Sequence, residues 1–321
     1  MTRAPRPEWA PHKAVWIGFP SHPELWQEDL DQARDEVVAF AAAVHADGKG
    51  EQVLLVAAND EAADAARAMA PFATVIVELF GDIWLRDTGP IIGADGTANS
   101  FLFNGWGGKY DLPGDDDVGL RLAAERGQAP ARHDWVLEGG AIDGDGTGLV
   151  VSTEQCLLNP NRNPALDRTQ IEQRLRDDLG YDRVLWLGDG LLNDHTDGHV
   201  DNLARFVGEG RLALPVAAEN DPNWQVYQQA ADRARAFGVE VVPIPSPGRV
   251  LRDDEVVPAS YMNFYIGNAA VVVPLYGAAN DDAAVAAIQA IFPDRQVVGL
   301  RADAILTGGG SFHCISQQIP A

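Results

Sequence analysis

Short apolar, β-branched runs punctuate the chain: VWIGF at 15–19, VLLVAA at 53–58, TVIVEL at 74–79, GLVVST at 148–153, VEVVPIP at 239–245, AVVVPL at 270–275 and QVVGL at 296–300. Their length and branching predict buried strands. Between several of them lie stretches with helical composition and period, DLDQARDEVVAFAAAVHADG, DEAADAARAMA, TQIEQRLRDDLG and DDAAVAAIQAIF. Thr or Asp at the start of such a segment predicts an N-cap there. The alternation predicts an α/β fold. No long Ser/Gly/Pro linker or shift in composition divides the chain, so a single domain over residues 1–321 is expected. GDDDVG at 114–119 and SPGRVLRDDE at 246–255 are expected to be surface loops. DGDGTG at 143–148 begins like a calcium loop but runs into LVVST without the distal glutamate, which predicts a hairpin turn.

With 46% hydrophobic residues, 321 positions suffice for a substantial core. The balance of 24 basic against 47 acidic side chains gives a formal charge of -23, which repels phosphate backbones and anionic membrane surfaces. Nucleic acid and membrane are therefore not expected partners, and a small cation suits that field better. Two cysteines, Cys156 and Cys314, cannot build a disulfide framework, which points to a reducing compartment. The opening MTRAPRPEWAPHK has no apolar run of signal-peptide length, and no other run approaches the roughly 20 residues that span a bilayer. A cytoplasmic protein is expected.

Candidate chemistry concentrates in DHTDGHVDNL, Asp194 to Leu203. Metal binding, acid-base catalysis, recognition of a cation and a structural acidic loop are all open readings of that density. His195 and His199 have the spacing of two ligands on one helical face, as a metal-dependent hydrolase would require, but Gly198 argues against a helix. If HVDNLARF is a strand, His199 and Asp201 share a face and His195 falls in the preceding turn. Three further groups stand out: Trp84, Arg86 and Asp87 in DIWLRDTGP, Glu138 before the glycines of LEGGAID, and Cys314 after Gly308 to Gly310. Cys156 in STEQCLL has no comparable setting and is expected to be structural. TGGGSFHC lacks the Gly-Lys-Ser/Thr of a phosphate-cradling loop and the final glycine of a nucleophile elbow.

PEWAPHKAVWIGFP, DIWLRDTGP, FNGWGGKY, LEGGAID, STEQCLLNPNRNP, NDHTDGHVDN, PASYMNFYIGNAAVVVP, FPDRQVVG and GGGSFHCISQQ occur in one order over nearly the whole chain. Together they resemble the agmatine deiminase and bacterial-type peptidylarginine deiminase family of guanidine-modifying enzymes. The resemblance implies the pentein fold, a pseudo-symmetric five-bladed propeller of ββαβ units around a central site. It implies Cys314 as nucleophile, His199 as acid-base residue and Glu138 as its partner, with Asp87 and Asp201 binding a guanidinium beside Trp84. It implies hydrolysis of agmatine through an amidino-cysteine intermediate, without metal or cofactor, in arginine-to-putrescine metabolism. Deimination of free or peptidyl arginine and amidino transfer are the alternatives it leaves open, and relatives are commonly homo-oligomers. The chain is shorter than typical family members between GHVD and PASYMNFY, which leaves contacts to the far end of the substrate unassigned, and His195 receives no role.

Overall fold

The computed structural model describes residues 3–128 and 130–321. Among these, five sheets repeat one pairing scheme, in which a short strand lies antiparallel to a longer one and a helix then carries the chain to a third strand parallel to the second. In chain order, Ile91–Ile92, Ala98–Leu102 and Ala131–Val136 form one unit around helix Val118–Glu125. Ile142–Gly144, Leu149–Ser152 and Arg183–Trp186 form the next around Arg168–Leu179. Arg205–Gly208, Arg211–Val216 and Glu240–Pro245 follow around Trp224–Phe237, then Tyr265–Ile266, Ala270–Leu275 and Gln296–Arg301 around Asp281–Ile291. The remaining unit joins distant parts of the chain: Ser316–Pro320 runs antiparallel to His12–Phe19, which is parallel to Gln52–Ala57 and, beyond it, Thr74–Val77.

Each apolar run of the sequence contains a strand, and the central ones are covered on both faces. Val15, Trp16 and Ile17 have no exposure, and neither do Val271, Val272 and Val273. Around them pack Phe40 and Phe312, whose rings stack with centroids 4.9 Å apart. No helix among the described residues is long and apolar enough to cross a membrane.

Several local expectations are corrected. Two helix caps fall earlier than the sequence pattern suggests, by one residue at Asn59, which accepts from Ala62 N, and by two at Asp167, which forms a reciprocal capping box with Gln170. Residues 114–119 are not simply a surface loop, since Asp115 is buried and accepts from Gly81 N at 2.7 Å, and a helix begins at Val118. The 246–255 segment carries half of a two-stranded hairpin, Leu251–Arg252 with Glu255–Val256. The run 199–203 is not a strand: Val200–Leu203 is a helical turn, closed by Ala204 N to Val200 O at 2.7 Å, and extended structure starts at Arg205. The hairpin expected at 143–148 is present, between antiparallel Ile142–Gly144 and Leu149–Ser152.

Candidate active site

Cys314 sits in the turn just before strand Ser316–Pro320, and backbone bonds fix its height. Its carbonyl accepts from Arg86 N at 3.0 Å, and Ile315 O accepts from Gly18 N at 2.9 Å. Asn263 holds it from the side, its Oδ1 accepting from the backbone N–H groups of His313 and Cys314 at 3.1 and 3.2 Å and its Nδ2 lying 3.0 Å from Sγ. A second contact runs from Sγ to Asp201 Oδ2, at 3.5 Å. Burial, with Asp201 and Asp87 close by, pushes the thiol well above the ordinary range.

The Leu85–Thr88 helical turn presents Asp87. Its Oδ2 accepts from Trp106 Nε1 and its Oδ1 from Gly140 N, both at 2.9 Å. The turn Asp194–His199 is shaped by Asp194, whose Oδ1 accepts from Thr196 N at 2.9 Å, and by left-handed Asn193, Asp197 and Gly198. Thr196 Oγ1 accepts from His199 N at 3.0 Å, and the helical turn that follows brings in Asp201. Gly140 marks where these groups converge, for a Cβ there would stand 2.6 Å from His199 Nδ1, 2.8 Å from Asp87 Oδ1 and 3.1 Å from Asp201 Oδ2. Only a residue without a side chain fits that point.

His199 is fully buried, neither ring nitrogen has a hydrogen-bond partner among the described residues, and Nδ1 lies 3.6 Å from Asp87 Oδ1. Burial works against its charge, but Asp87, Cys156 and Glu138 together outweigh that and hold the imidazole well above its usual range. Burial raises the Asp87 carboxyl, with His199 opposing, whereas in Asp201 burial is overcome by His313, His199 and Arg205 together, which keep the carboxyl low. One oxygen of Asp201 and one of Glu138 are buried and unpartnered. Unsatisfied acceptors in such number, beside an imidazolium, form a cradle for a flat cation rich in N–H donors.

Glu138 leaves the strand Ala131–Val136 just before a 3₁₀ turn and is gripped by Arg162, whose Nε reaches Oε1 at 2.6 Å. The same guanidinium binds Asp197 at 2.6 Å and Thr196 O at 2.7 Å, and Asp197 in turn takes Lys109 at 2.5 Å. Cys156, which the sequence leaves as an ordinary core residue, lies with Glu138 and His199 in one fully buried cluster, ligand atoms within 4.8 Å of one another. His195 takes no part in that cluster.

Cys314 and Asp87 form part of the wall of a cavity of about 230 Å³ that Trp84, Trp106, Tyr110, Leu25 and Leu112 make largely apolar. Trp84 is set by its Nε1 bond to Asp82, 2.7 Å, and stands against Gly308 and Gly310. His195 lines the outer part, its ring beside Gly309. No lysine or arginine lines this cavity among the described residues. In the open groove beyond, Lys109 and Arg252 are paired with Asp197 and Asp303.

All six residues singled out in sequence, Cys314, His199, Glu138, Asp87, Asp201 and Trp84, therefore meet in one place. Asn263, Arg162, Glu8, His313 and Gly140 were not singled out. Their partners lie far away in the chain, 305 positions in the case of Glu8 and His313, and no local pattern announces such a pairing.

The fold places the protein in the pentein class shared by deiminases and amidinotransferases. An amidinotransferase from Microseira wollei superposes with a TM-score of 0.59 over 99% of this chain and 96% of that one at 12% identity, a likeness of fold alone. The sequence profile of the Porphyromonas-type peptidyl-arginine deiminases matches residues 4–320, and the chain belongs to that family. It is similar to an agmatine deiminase of Stutzerimonas stutzeri, 38% identical over 98% of this chain and 94% of that protein. Among solved structures, an agmatine deiminase of Enterococcus faecalis matches at 31% identity with a TM-score of 0.91, covering 99% of this chain and 95% of that one. A substrate-bound agmatine deiminase of C. jejuni matches at 28% identity with a TM-score of 0.92, covering 100% and 97%.

Proposed function

We propose that this protein is a hydrolase of amidine C–N bonds that converts agmatine and water to N-carbamoylputrescine and ammonia, feeding arginine carbon toward putrescine. The observation that carries the reading is a thiol on the wall of a largely apolar cavity, flanked by two carboxylates and with no lysine or arginine among its described lining residues. A guanidinium needs the carboxylates. Arginine's α-carboxylate is best met by a lysine or arginine, and neither lines the cavity among the described residues, whereas agmatine carries an alkyl chain and an amine in that place.

In this mechanism Asp87 and Asp201 take paired N–H bonds from the guanidinium and aim its central carbon at Cys314, while Trp84 walls the plane. The incoming positive charge offsets the two carboxylates that disfavour the thiolate, so Cys314 ionises when substrate is in place. The thiolate adds to carbon. His199 as imidazolium protonates the departing nitrogen, the C–N bond breaks, and ammonia leaves an S-amidino cation on Cys314. The neutral imidazole then takes a proton from water, hydroxide adds to the same carbon, and the C–S bond breaks to return the thiolate. The proton released as the carbonyl forms leaves with ammonia as ammonium. Glu138 supports the charged form of His199, and no metal or cofactor enters any step. We assign the whole chain to one catalytic domain with its five units as propeller blades around this site, acting in the cytoplasm.

Ammonia release from agmatine, free arginine and a blocked arginyl peptide, measured side by side in EDTA, tests the assignment. Turnover of agmatine alone is expected. Preference for arginine or the peptide overturns the substrate, loss of activity in EDTA overturns the metal-free mechanism, and a Cys314→Ser variant with wild-type turnover overturns the nucleophile.

A further inference from the structure

We infer that His313, the residue before Cys314, is a positioning residue for this reaction: donating from both ring nitrogens, it holds Asp201 beside the thiol and supplies the positive charge that lets a carboxylate and a thiolate share that space. The inference rests on Cys314 being the nucleophile proposed above.

The ring is buried between two carboxylates. Nδ1 lies 2.8 Å from Asp201 Oδ2, the oxygen that also faces Sγ, and Nε2 lies 2.9 Å from Glu8 Oε2. Glu8 is itself held as an anion. Its Oε2 accepts from Arg86 Nη2 at 3.2 Å and its Oε1 from Ile266 N at 2.7 Å, and the Arg205 guanidinium stands 3.0 Å from Oε1 as an ion pair. Burial raises that carboxyl, but Arg205, His313 and Arg86 together pull it well below the usual range. An ionised carboxylate only accepts, so an imidazole bonded to one at each nitrogen must carry both protons and a full positive charge.

That charge has a purpose in the surrounding balance. Facing the sulfur are Asp201 and Asp87, with His199 against Asp87 and His313 against Asp201; behind His313 stand Glu8, Arg86, Arg205 and, beside Arg205, Asp143. Without His313 the oxygen nearest Sγ keeps its negative charge and loses the cation that compensates it. The carboxylate would then rotate, take a proton, or repel the thiolate, and each outcome weakens either the clamp or the nucleophile. A neutral side chain of similar size preserves the packing and cannot supply the charge.

Because the chain has only two cysteines, Cys156→Ala leaves Cys314 as the sole thiol. In that background, the rate of alkylation by iodoacetamide is followed against pH, without substrate, for His313 and for His313→Gln. The glutamine variant is expected to move the midpoint up by about one pH unit and to slow alkylation at neutral pH roughly tenfold. Agmatine kcat should fall at neutral pH and recover in part as pH rises. An unmoved midpoint in a variant that melts like its parent overturns the inference. Should the variant not fold, neutron diffraction from the deuterated wild-type protein decides: deuterium on both Nδ1 and Nε2 is expected, and a bare nitrogen overturns it. Ammonia release by the wild-type protein reports separately on the proposed reaction, so failure of one is not mistaken for failure of the other.

Discussion

Replacing Gly140 by alanine adds one methyl group at the point where His199, Asp87 and Asp201 meet. The backbone there is outside the left-handed region, so alanine itself is unstrained and the whole effect comes from the new carbon. It would stand 2.6 Å from His199 Nδ1 and 2.8 Å from Asp87 Oδ1, against an ordinary contact that begins near 3.4 Å. The imidazole must retreat by roughly 0.8 Å and the carboxylate by about 0.6 Å, an overpacking of the kind that costs about 1–3 kcal/mol. Groups displaced by about 1 Å from a reacting centre lose about a hundredfold in rate. Gly140→Ala is therefore expected to fold, to melt a few degrees lower, and to release ammonia from saturating agmatine about a hundredfold more slowly. Gly139→Ala makes the contrasting control, since its methyl would meet Arg86 O at 2.1 Å and backbone cannot move aside as a side chain can. That neighbour is expected to fail in folding rather than in turnover. A Gly140→Ala enzyme within about twofold of wild type in kcat refutes the argument that these three side chains are fixed around one point.

Further consequences concern the groups behind the site. Arg162→Met strands Glu138 in a fully buried position and is expected to cost about 3–5 kcal/mol in urea unfolding; adding Glu138→Gln should restore most of the stability and none of the turnover. Asp115, pushed up to about 7 by burial, keeps a proton in the folded protein after the unfolded chain has lost it near 3.8. The folded state therefore binds more protons across that window, stability falls as pH rises through it, and the full penalty persists above 7. Asp115→Asn is accordingly expected to be more stable than wild type by about 2–4 kcal/mol at pH 8, with the advantage gone near pH 4, as denaturation at the two pH values will show. Asp167→Ala removes the capping box of helix Arg168–Leu179 and should cost about 1 kcal/mol while leaving ammonia release unchanged.

The central strands, such as His12–Phe19, Gln52–Ala57 and Ala270–Leu275, were legible because they are apolar runs buried on both faces, whereas Ala98–Leu102, Ala131–Val136 and Ser316–Pro320 mix polar and apolar positions and left no such mark. The turn at 199–203 misled for a related reason. His199 and Asp201, two apart before an apolar stretch, fit an alternating pattern, while the bonds that make the turn come from Asp194 and Thr196 upstream. The site divides in the same way. Cys314, His199, Asp87, Asp201, Glu138 and Trp84 lie in short motifs whose resemblance to a family can be read by eye. Arg162 and His313 also lie in such motifs, but their work depends on which carboxylate each meets, and that is settled only when units far apart in sequence pack together.

The strand after Cys314 pairs with the first long strand, Ser316–Pro320 against His12–Phe19. Translation delivers those partners in the least convenient order. A nascent chain carries Asp87, Glu138, His199 and Asp201 long before the sulfur emerges, and until then one edge of its oldest sheet stands open with unpaired amides. The ribosome thus holds an acid-rich precursor without its Cys314 thiol, whose exposed edge invites pairing with a neighbour on the same polysome. Completion of the chain closes that edge and installs the nucleophile in a single event.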